Sequence, residues 1–174
     1  MQQNPIIALV GKSGVGKTTL MIELLKLIPE RVAPIVVLTN RPKRGSEDEI
    51  FCRFVDANYI QDQRDRGLLA QYLEYGGSVY GCAKADIDKA LAQGIGLQAY
   101  VESGIDELRK NGYRVFPVQV TTDQETYRDE QRLKEDDKRG TRQVEYALTL
   151  TNSFKPGGLE KAVQELIRFV TSLK

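Results

Sequence analysis

Ile6-Ile7-Ala8-Leu9-Val10 runs directly into Gly11-Lys12-Ser13-Gly14-Val15-Gly16-Lys17-Thr18, and then into a segment whose apolar residues Leu20, Met21, Leu24, Leu25 and Ile28 recur at helical spacing. Five consecutive apolar residues suit a strand buried on both faces. Pro29 closes the helix, because the residue before a proline is pushed out of the helical region. The turn between strand and helix matches GxxxxGK(S/T) in the strand–turn–helix setting that its mechanism needs. There the glycines let successive backbone N–H groups curl round phosphate oxygens, and the helix N-terminus adds the positive end of its dipole. On this reading Gly11, Ser13, Gly14, Val15, Gly16, Lys17, Thr18 and Thr19 hold a nucleoside triphosphate or similar polyphosphate. Lys17 reaches the β- and γ-phosphates, and the Thr18 hydroxyl is the protein's ligand to Mg²⁺.

Working outward, Ile35-Val36-Val37-Leu38 reads as a second short buried strand. Leu97 to Glu102 reads as a third, interrupted by Gln98. Val115 to Val120 is a fourth, preceded by the helix stop Asn111-Gly112, and Leu148 to Thr151 a fifth. Leu159, Ala162, Val163, Leu166, Ile167 and Val170 form one apolar stripe on a final helix. Strands alternating with helices predict an α/β chain. The expected architecture is a three-layer P-loop NTPase fold, with a mainly parallel five-stranded sheet and helices on both faces. Residues 1–174 form a single domain in this reading. Two segments break the rhythm. Residues 41–82 carry turn signals and no long buried strand, and are expected to form a small inserted arm of short strands and a short helix. Residues 123–142 are expected to form a short, charged, lid-like helix.

Composition narrows the chemistry. The 174 residues are 41% hydrophobic and 28% charged, enough for one core without disulfide or metal staples. Histidine is absent, which excludes a histidine general base, Ser-His-Asp and Cys-His nucleophile systems, and His-ligated zinc or haem. The two cysteines, Cys52 and Cys82, form no CxxC pair, and are expected to be reduced thiols. A formal charge of +1 gives no global attraction to nucleic acid or an acidic membrane, so neither is expected as a partner. Apolar runs such as Pro34 to Leu38 are too short to span a bilayer. Met1 to Pro5 lacks the basic and apolar regions of a secretory leader. A cytoplasmic protein is expected.

Thr39-Asn40-Arg41-Pro42-Lys43-Arg44-Gly45 follows the second strand, on the same sheet edge as the phosphate loop. Arg41 and Arg44 suit bidentate capture of a second anionic group, although a solvated basic turn has the same composition.

At this point the chain resembles the guanylate kinase family. Gly11 to Thr18 is similar to that family's GPSGxGKxT, with Lys12 in place of the proline, and Thr39 to Gly45 resembles its TTRxPRxGE segment. Tyr72-Leu73-Glu74-Tyr75 with Val79-Tyr80-Gly81 resembles FLEW…YYG. Arg132-Leu133 resembles the RRL of the lid, and Tyr146 with Asn152 resembles YDYVVVN. The resemblance implies transfer of the γ-phosphate of Mg-ATP to a phosphorylated small molecule, GMP first. It places Lys17, Arg41, Arg44 and Arg132 in the catalytic set, with Arg128 a second lid arginine one helical turn away. Asn152 joins the nucleotide-binding residues, and Thr39, Arg41, Arg44, Glu74, Tyr80, Cys82 and Glu102 the acceptor-binding ones. In the family the residue at Glu74 reads guanine and that at Tyr80 touches the acceptor phosphate, with Gly81 expected to leave the phenol room beside a ligand.

The departures from the family pattern are local. The segment between Glu74 and Tyr80 is shorter, and an ungapped count from Tyr80 puts Gln71 in the base-reading place. Cys82 stands where the family has Ser or Thr. Of DxDxQG only Glu102 keeps an acid, and as a strand-end acid it equally suits capping the next helix. Arg41-Pro42 with Gly45-Ser46-Glu47-Asp48 is also similar to the TRP…GGED of ribose 1,5-bisphosphate phosphokinase, a relative acting on a sugar phosphate. Two other readings remain: a catalytically degenerate protein-binding module of the same fold, and a regulatory NTPase.

Overall fold

The computed structural model describes residues 3–124 and 144–173. In chain order the elements are β1 (Ile6–Val10), α1 (Lys17–Leu27), β2 (Val32–Pro34), β3 (Val37–Thr39), α2 (Asp48–Phe51), β4 (Cys52–Phe54), α3 (Ala57–Asp65) and β5 (Leu69–Tyr75). There follow β6 (Ser78–Ala83), α4 (Lys84–Gln93), β7 (Ile95–Ala99), α5 (Glu102–Lys110), β8 (Val115–Thr121), β9 (Leu148–Thr151) and α6 (Gly158–Ser172).

The apolar run Ile6–Val10 becomes the middle strand of a five-stranded sheet, in the order β2-β7-β1-β8-β9. All of its pairings are parallel. Adjacent residues of β1 face opposite sides of the sheet, and each side has its own core. Ile7 and Leu9 pack with Leu20, Met21 and Leu24 of α1 and with Ala162, Val163, Leu166 and Val170 of α6. Ile6, Ala8 and Val10 pack with Ile87, Ala90 and Leu91 of α4 and with Ile105 and Leu108 of α5. Leu24 and Leu166 are both fully buried, and truncating either to alanine costs about 2–5 kcal/mol. These are the three layers expected from the alternation of strands and helices. The chain leaves β1 for β2 on one side, and later crosses from β7 to β8 on the other. The carboxyl end of β1 is therefore the crevice where such sheets take ligands.

The arm departs from its expected form. Ile35 to Leu38 is not one strand. Val32–Pro34 pairs with β7, the Ile35 N–H gives one more bond to the Leu97 carbonyl at 3.0 Å, and the chain then crosses into a second sheet. That sheet has the order β4-β3-β6-β5. Pro34 has no N–H to offer a ladder, and the Ile35 side chain turns in against Gly96, where an added Cβ would stand 2.7 Å from its Cδ1. The arm thus begins at Val37, and holds two short helices rather than one. Two glycines at positive φ, Gly76 (60°) and Gly77 (70°), close the two-residue hairpin between β5 and β6. The third main-sheet strand is Ile95–Ala99, so Glu102 opens α5 instead of ending a strand. Of the expected lid segment, residues 125–142 lie outside the described residues.

Candidate active site

The loop after β1 is shaped by close approaches that only glycine permits. A Cβ on Gly11 would run into the Val120 carbonyl of the neighbouring strand, and one on Gly16 into the side-chain amide of Asn152. Gly14 and Gly16 sit at φ of 87° and 89°, in the left-handed region that glycine enters without strain. Asn152 leaves β9 with its N–H on the Thr121 carbonyl at 2.8 Å, which carries its side chain under the loop. There its Nδ2 donates to the Val15 carbonyl at 2.9 Å, while its buried Oδ1 has no partner among the described residues. Asn152 is therefore a strut for the loop. The Lys17 ammonium donates to the Gly11 and Lys12 carbonyls at 2.6 and 2.8 Å and curls back across the loop. The N-cap residue of α1, Gly16, brings no side-chain hydrogen bond to the helix start, and a helix start presents N–H donors and the positive end of its dipole to an anion. A cradle that a Cβ would fill, a lysine across it and an uncapped helix start fit a polyphosphate. Gly11, Ser13, Lys17 and Thr18 line the cleft; Gly14, Val15 and Gly16 form the turn behind them, and the exposed Thr19 lies outside the lining.

The other wall belongs to the arm. Thr39, fully buried at the end of β3, accepts the Arg41 backbone N–H on Oγ1 at 3.2 Å and so starts the basic turn. The Arg41 guanidinium makes a two-point pair with Asp48, Nη1 to Oδ2 at 2.9 Å and Nη2 to Oδ1 at 2.8 Å. It also lies 5.5 Å from the Phe54 ring centroid and donates to Cys52 Sγ at 3.6 Å. Asp48 Oδ2 takes the Arg44 backbone N–H as well, at 2.7 Å. The hydrogen bonds from Arg41 hold the Asp48 carboxyl down to about 2 against the opposing effect of its burial, and the same pairing raises Arg41. Tyr80 stands in the same wall. Burial raises its phenol, and the positive charges of Arg41 and Arg44 pull the other way. The cleft between the walls holds about 200 Å³ and brings Arg41, Arg44 and Tyr80 together with the phosphate loop.

Three expected acceptor residues stand elsewhere. The hairpin pairs Leu73 with Tyr80 and Tyr75 with Ser78, which turns Gln71, Leu73 and Tyr75 to the cleft and Tyr72 and Glu74 to the opposite face. Glu74 is exposed there and accepts the Tyr72 hydroxyl at 2.9 Å, with Arg64 of α3 stacked 4.0 Å from the Tyr72 ring. It is not placed to read a base. Cys82 is on the cleft side of β6 but sealed beneath Tyr100, its sulfur 3.4 Å from that hydroxyl; burial pushes the thiol up to about 12. Glu102 sits in the first turn of α5, where a carboxylate complements the helix dipole, and takes the Tyr146 hydroxyl at 3.5 Å. Gly81 makes room for Ile60 of α3, 2.9 Å from an added Cβ, rather than for a ligand beside Tyr80. Arg128 and Arg132 lie outside the described residues.

Asp48, quoted above only within the sugar-phosphate kinase resemblance, and Cys52 and Tyr100 line the cleft without having been expected there. For Asp48 the signal was present but ambiguous, since Glu47, Asp48 and Glu49 are consecutive acids and only the start of α2 selects the middle one. Tyr100 carried none.

A parallel sheet with a glycine-rich phosphate cradle after its central strand defines a P-loop α/β protein. Within that class the chain belongs to the guanylate kinase family, whose model matches residues 2–172. A guanylate kinase of Myxococcus xanthus is 35% identical over 88 residues, 51% of this chain and 42% of that one. One of Trichodesmium erythraeum is 32% identical over 94 residues, covering 54% and 50%. The matched region thus spans half or less of the length of these curated relatives. The crystal structure of guanylate kinase from Anaplasma phagocytophilum superimposes with a TM-score of 0.69 at 16% identity, over 98% of this chain and 86% of that one, and shares the fold.

Proposed function

We propose that the protein is an ATP-dependent phosphotransferase that moves the γ-phosphate of Mg-ATP onto a small phosphorylated acceptor, a nucleoside monophosphate, with GMP the first to test. One observation carries this reading: a single cleft is lined on one side by Gly11, Ser13, Lys17 and Thr18 and on the other by Arg41, Arg44 and Tyr80. In-line phosphoryl transfer asks a protein for positioning and charge neutralisation, and two cationic walls facing each other supply both. Lys17 exchanges its two carbonyl partners for β- and γ-phosphate oxygens, Thr18 offers its hydroxyl to the metal, and Asn152 keeps the loop rigid from below. Arg41 exchanges the Asp48 carboxylate for the acceptor phosphate, to which Arg44 and Tyr80 also turn. Mg-ATP, when bound, supplies the phosphoryl group and neutralises its charge. Arg132 is assigned the lid role on the family resemblance.

Incubation with Mg²⁺, labelled ATP and a panel of monophosphates tests this; a labelled acceptor is the expected result. Tight Mg-ATP binding without transfer to any acceptor overturns it and leaves the regulatory NTPase reading, whereas little thermal stabilisation by Mg-ATP points to the binding module. The position of Glu74 on the far side of β5, and the sealed Cys82, favour a second acceptor class, the sugar phosphate, because neither side chain meets a purine in the cleft.

A further inference from the structure

Gln71 is an unusual side chain in this cleft. The residue is 5% exposed and lines the cavity, yet its amide has no hydrogen-bond partner among the described residues. The amide is not among the sealed, unpartnered polar atoms, so the little exposure the residue keeps opens its donor and acceptor onto the cleft, where they are available to whatever enters.

The surroundings hold that amide in place. On one side of it the Ala70 carbonyl accepts Asn111 Nδ2 at 3.1 Å; on the other the Tyr72 N–H donates to Glu107 Oε2 at 2.9 Å. Both partners come from α5 and its C-terminal cap. The pairing of β5 with β6 shifts register between Leu69 and Gln71, a local irregularity of the kind that re-aims a side chain. The side chain then lies across Gly104, where an added Cβ would come within 3.3 Å of Gln71 Cγ and 3.5 Å of its Nε2. Gln71 shares its face of the hairpin with Leu73, which pairs with Tyr80. Along the strand, two residues, about 7 Å, therefore separate the position of Gln71 from that of Leu73, opposite Tyr80. Among the described lining residues the sole carboxylate is Asp48, and Arg41 and Arg44 occupy it.

We propose that Gln71 selects the acceptor, and that it does so for an adjacent hydrogen-bond donor and acceptor rather than for two adjacent donors. This rests on the phosphotransferase reading above. The N1–H and N2–H groups of guanine are neighbouring donors that a carboxylate accepts together. An amide has one oxygen for them and turns its NH₂ against the other, so guanine loses its advantage in this cleft. The amide is complementary to the N6–H/N1 edge of adenine, to the N4–H/N3 edge of cytosine, or to vicinal hydroxyls of a pentose. Sites built around a hydrogen-bonding group discriminate strongly against partners that leave it unpaired.

The test measures both turnover and binding for the full chain. Wild type, Gln71→Glu and Gln71→Leu are assayed with Mg-ATP against GMP, AMP, CMP and a pentose monophosphate, and acceptor binding is measured in parallel by calorimetry. Wild type is expected to bind and use one of the last three at least as well as GMP, the preferred one identifying base or sugar. Gln71→Glu is expected to raise the ratio of kcat/KM for GMP over that acceptor at least tenfold. Gln71→Leu, which suits the apolar neighbours should the glutamate variant fail to fold, is expected to cost that acceptor at least tenfold. A wild-type preference for GMP that neither variant alters overturns the proposal, as does calorimetric binding of all four acceptors that is indifferent to residue 71. Binding that follows residue 71 without any phosphate transfer supports the proposal and overturns the phosphotransferase reading instead.

Discussion

Replacing Asp48 by asparagine keeps the shape of the Arg41 partner and removes its charge. Folding lowers the Asp48 carboxyl from an ordinary 3.8 to about 2. At about 1.4 kcal/mol per unit this is worth at most about 2.5 kcal/mol. The pair lines the cleft with side chains still 10% and 15% exposed, and partial solvent screening brings the figure down to about 1–2 kcal/mol. The sign follows from the direction of the shift. A carboxyl depressed in the folded state stabilises fully above its unfolded value, and that contribution disappears as pH falls toward the folded value of about 2. Asp48→Asn is therefore expected to lose about 1–2 kcal/mol in urea denaturation at pH 7, a drop in Tm of about 2–8 °C for a domain of this size. The deficit should shrink as pH is lowered from about 5 toward 2, where the wild-type carboxyl protonates. A variant as stable as wild type at neutral pH, or one whose deficit is unchanged at pH 2.5, refutes the assignment of Asp48 as the residue that holds Arg41.

Lys17→Met removes an ammonium that bonds the Gly11 and Lys12 carbonyls, and should lower phosphate transfer at least a hundredfold, read as kcat with the preferred acceptor, in a protein whose fold is checked by circular dichroism. Gly16→Ala forces a side chain onto the Asn152 amide at positive φ, and should cost about 1–3 kcal/mol in denaturant melts and abolish the thermal stabilisation by Mg-ATP. Asn152→Ala strips the Val15 carbonyl of its donor, a loss of about 1–3 kcal/mol in the same melts; an unchanged midpoint argues against the strut. Cys82, with its thiol pushed up to about 12 by burial, should resist alkylation in the native protein at pH 8 and react once urea unfolds it, as peptide mapping will reveal.

The parts of the fold that were legible in the sequence are those where one residue pattern has one physical solution. Five apolar residues followed by GxxxxGK(S/T) make a buried strand and a phosphate turn, and Leu148 to Thr151 is a strand with the expected ends. Ile35 to Leu38 has two solutions, since aliphatic residues suit either sheet. What divides them is a proline without a donor and the fit of Ile35 on Gly96, far along the chain. The acceptor side depended on register. Glu74 and Gln71 are equally polar on paper, and which one enters the cleft is fixed by a two-residue turn at Gly76-Gly77. Cys82 was expected at the ligand because it stands where the family has Ser or Thr. The tyrosine that covers it comes from another strand's end, and no local pattern announces that.

Gln98, which on paper only interrupts an apolar strand, spends one NH₂ group on two distant carbonyls: Ile35 at 2.6 Å, where the chain leaves the main sheet, and Phe51 at 3.1 Å, inside the arm. It works as a rivet between the frame and the jib. The root of the arm is clamped to the strand beside β1, so the gap between the two walls of the cleft is gauged by the sheet's own spacing. Any swing of the arm has its fulcrum beyond that clamp, and the reach across the cleft becomes a property of the scaffold instead of its loops.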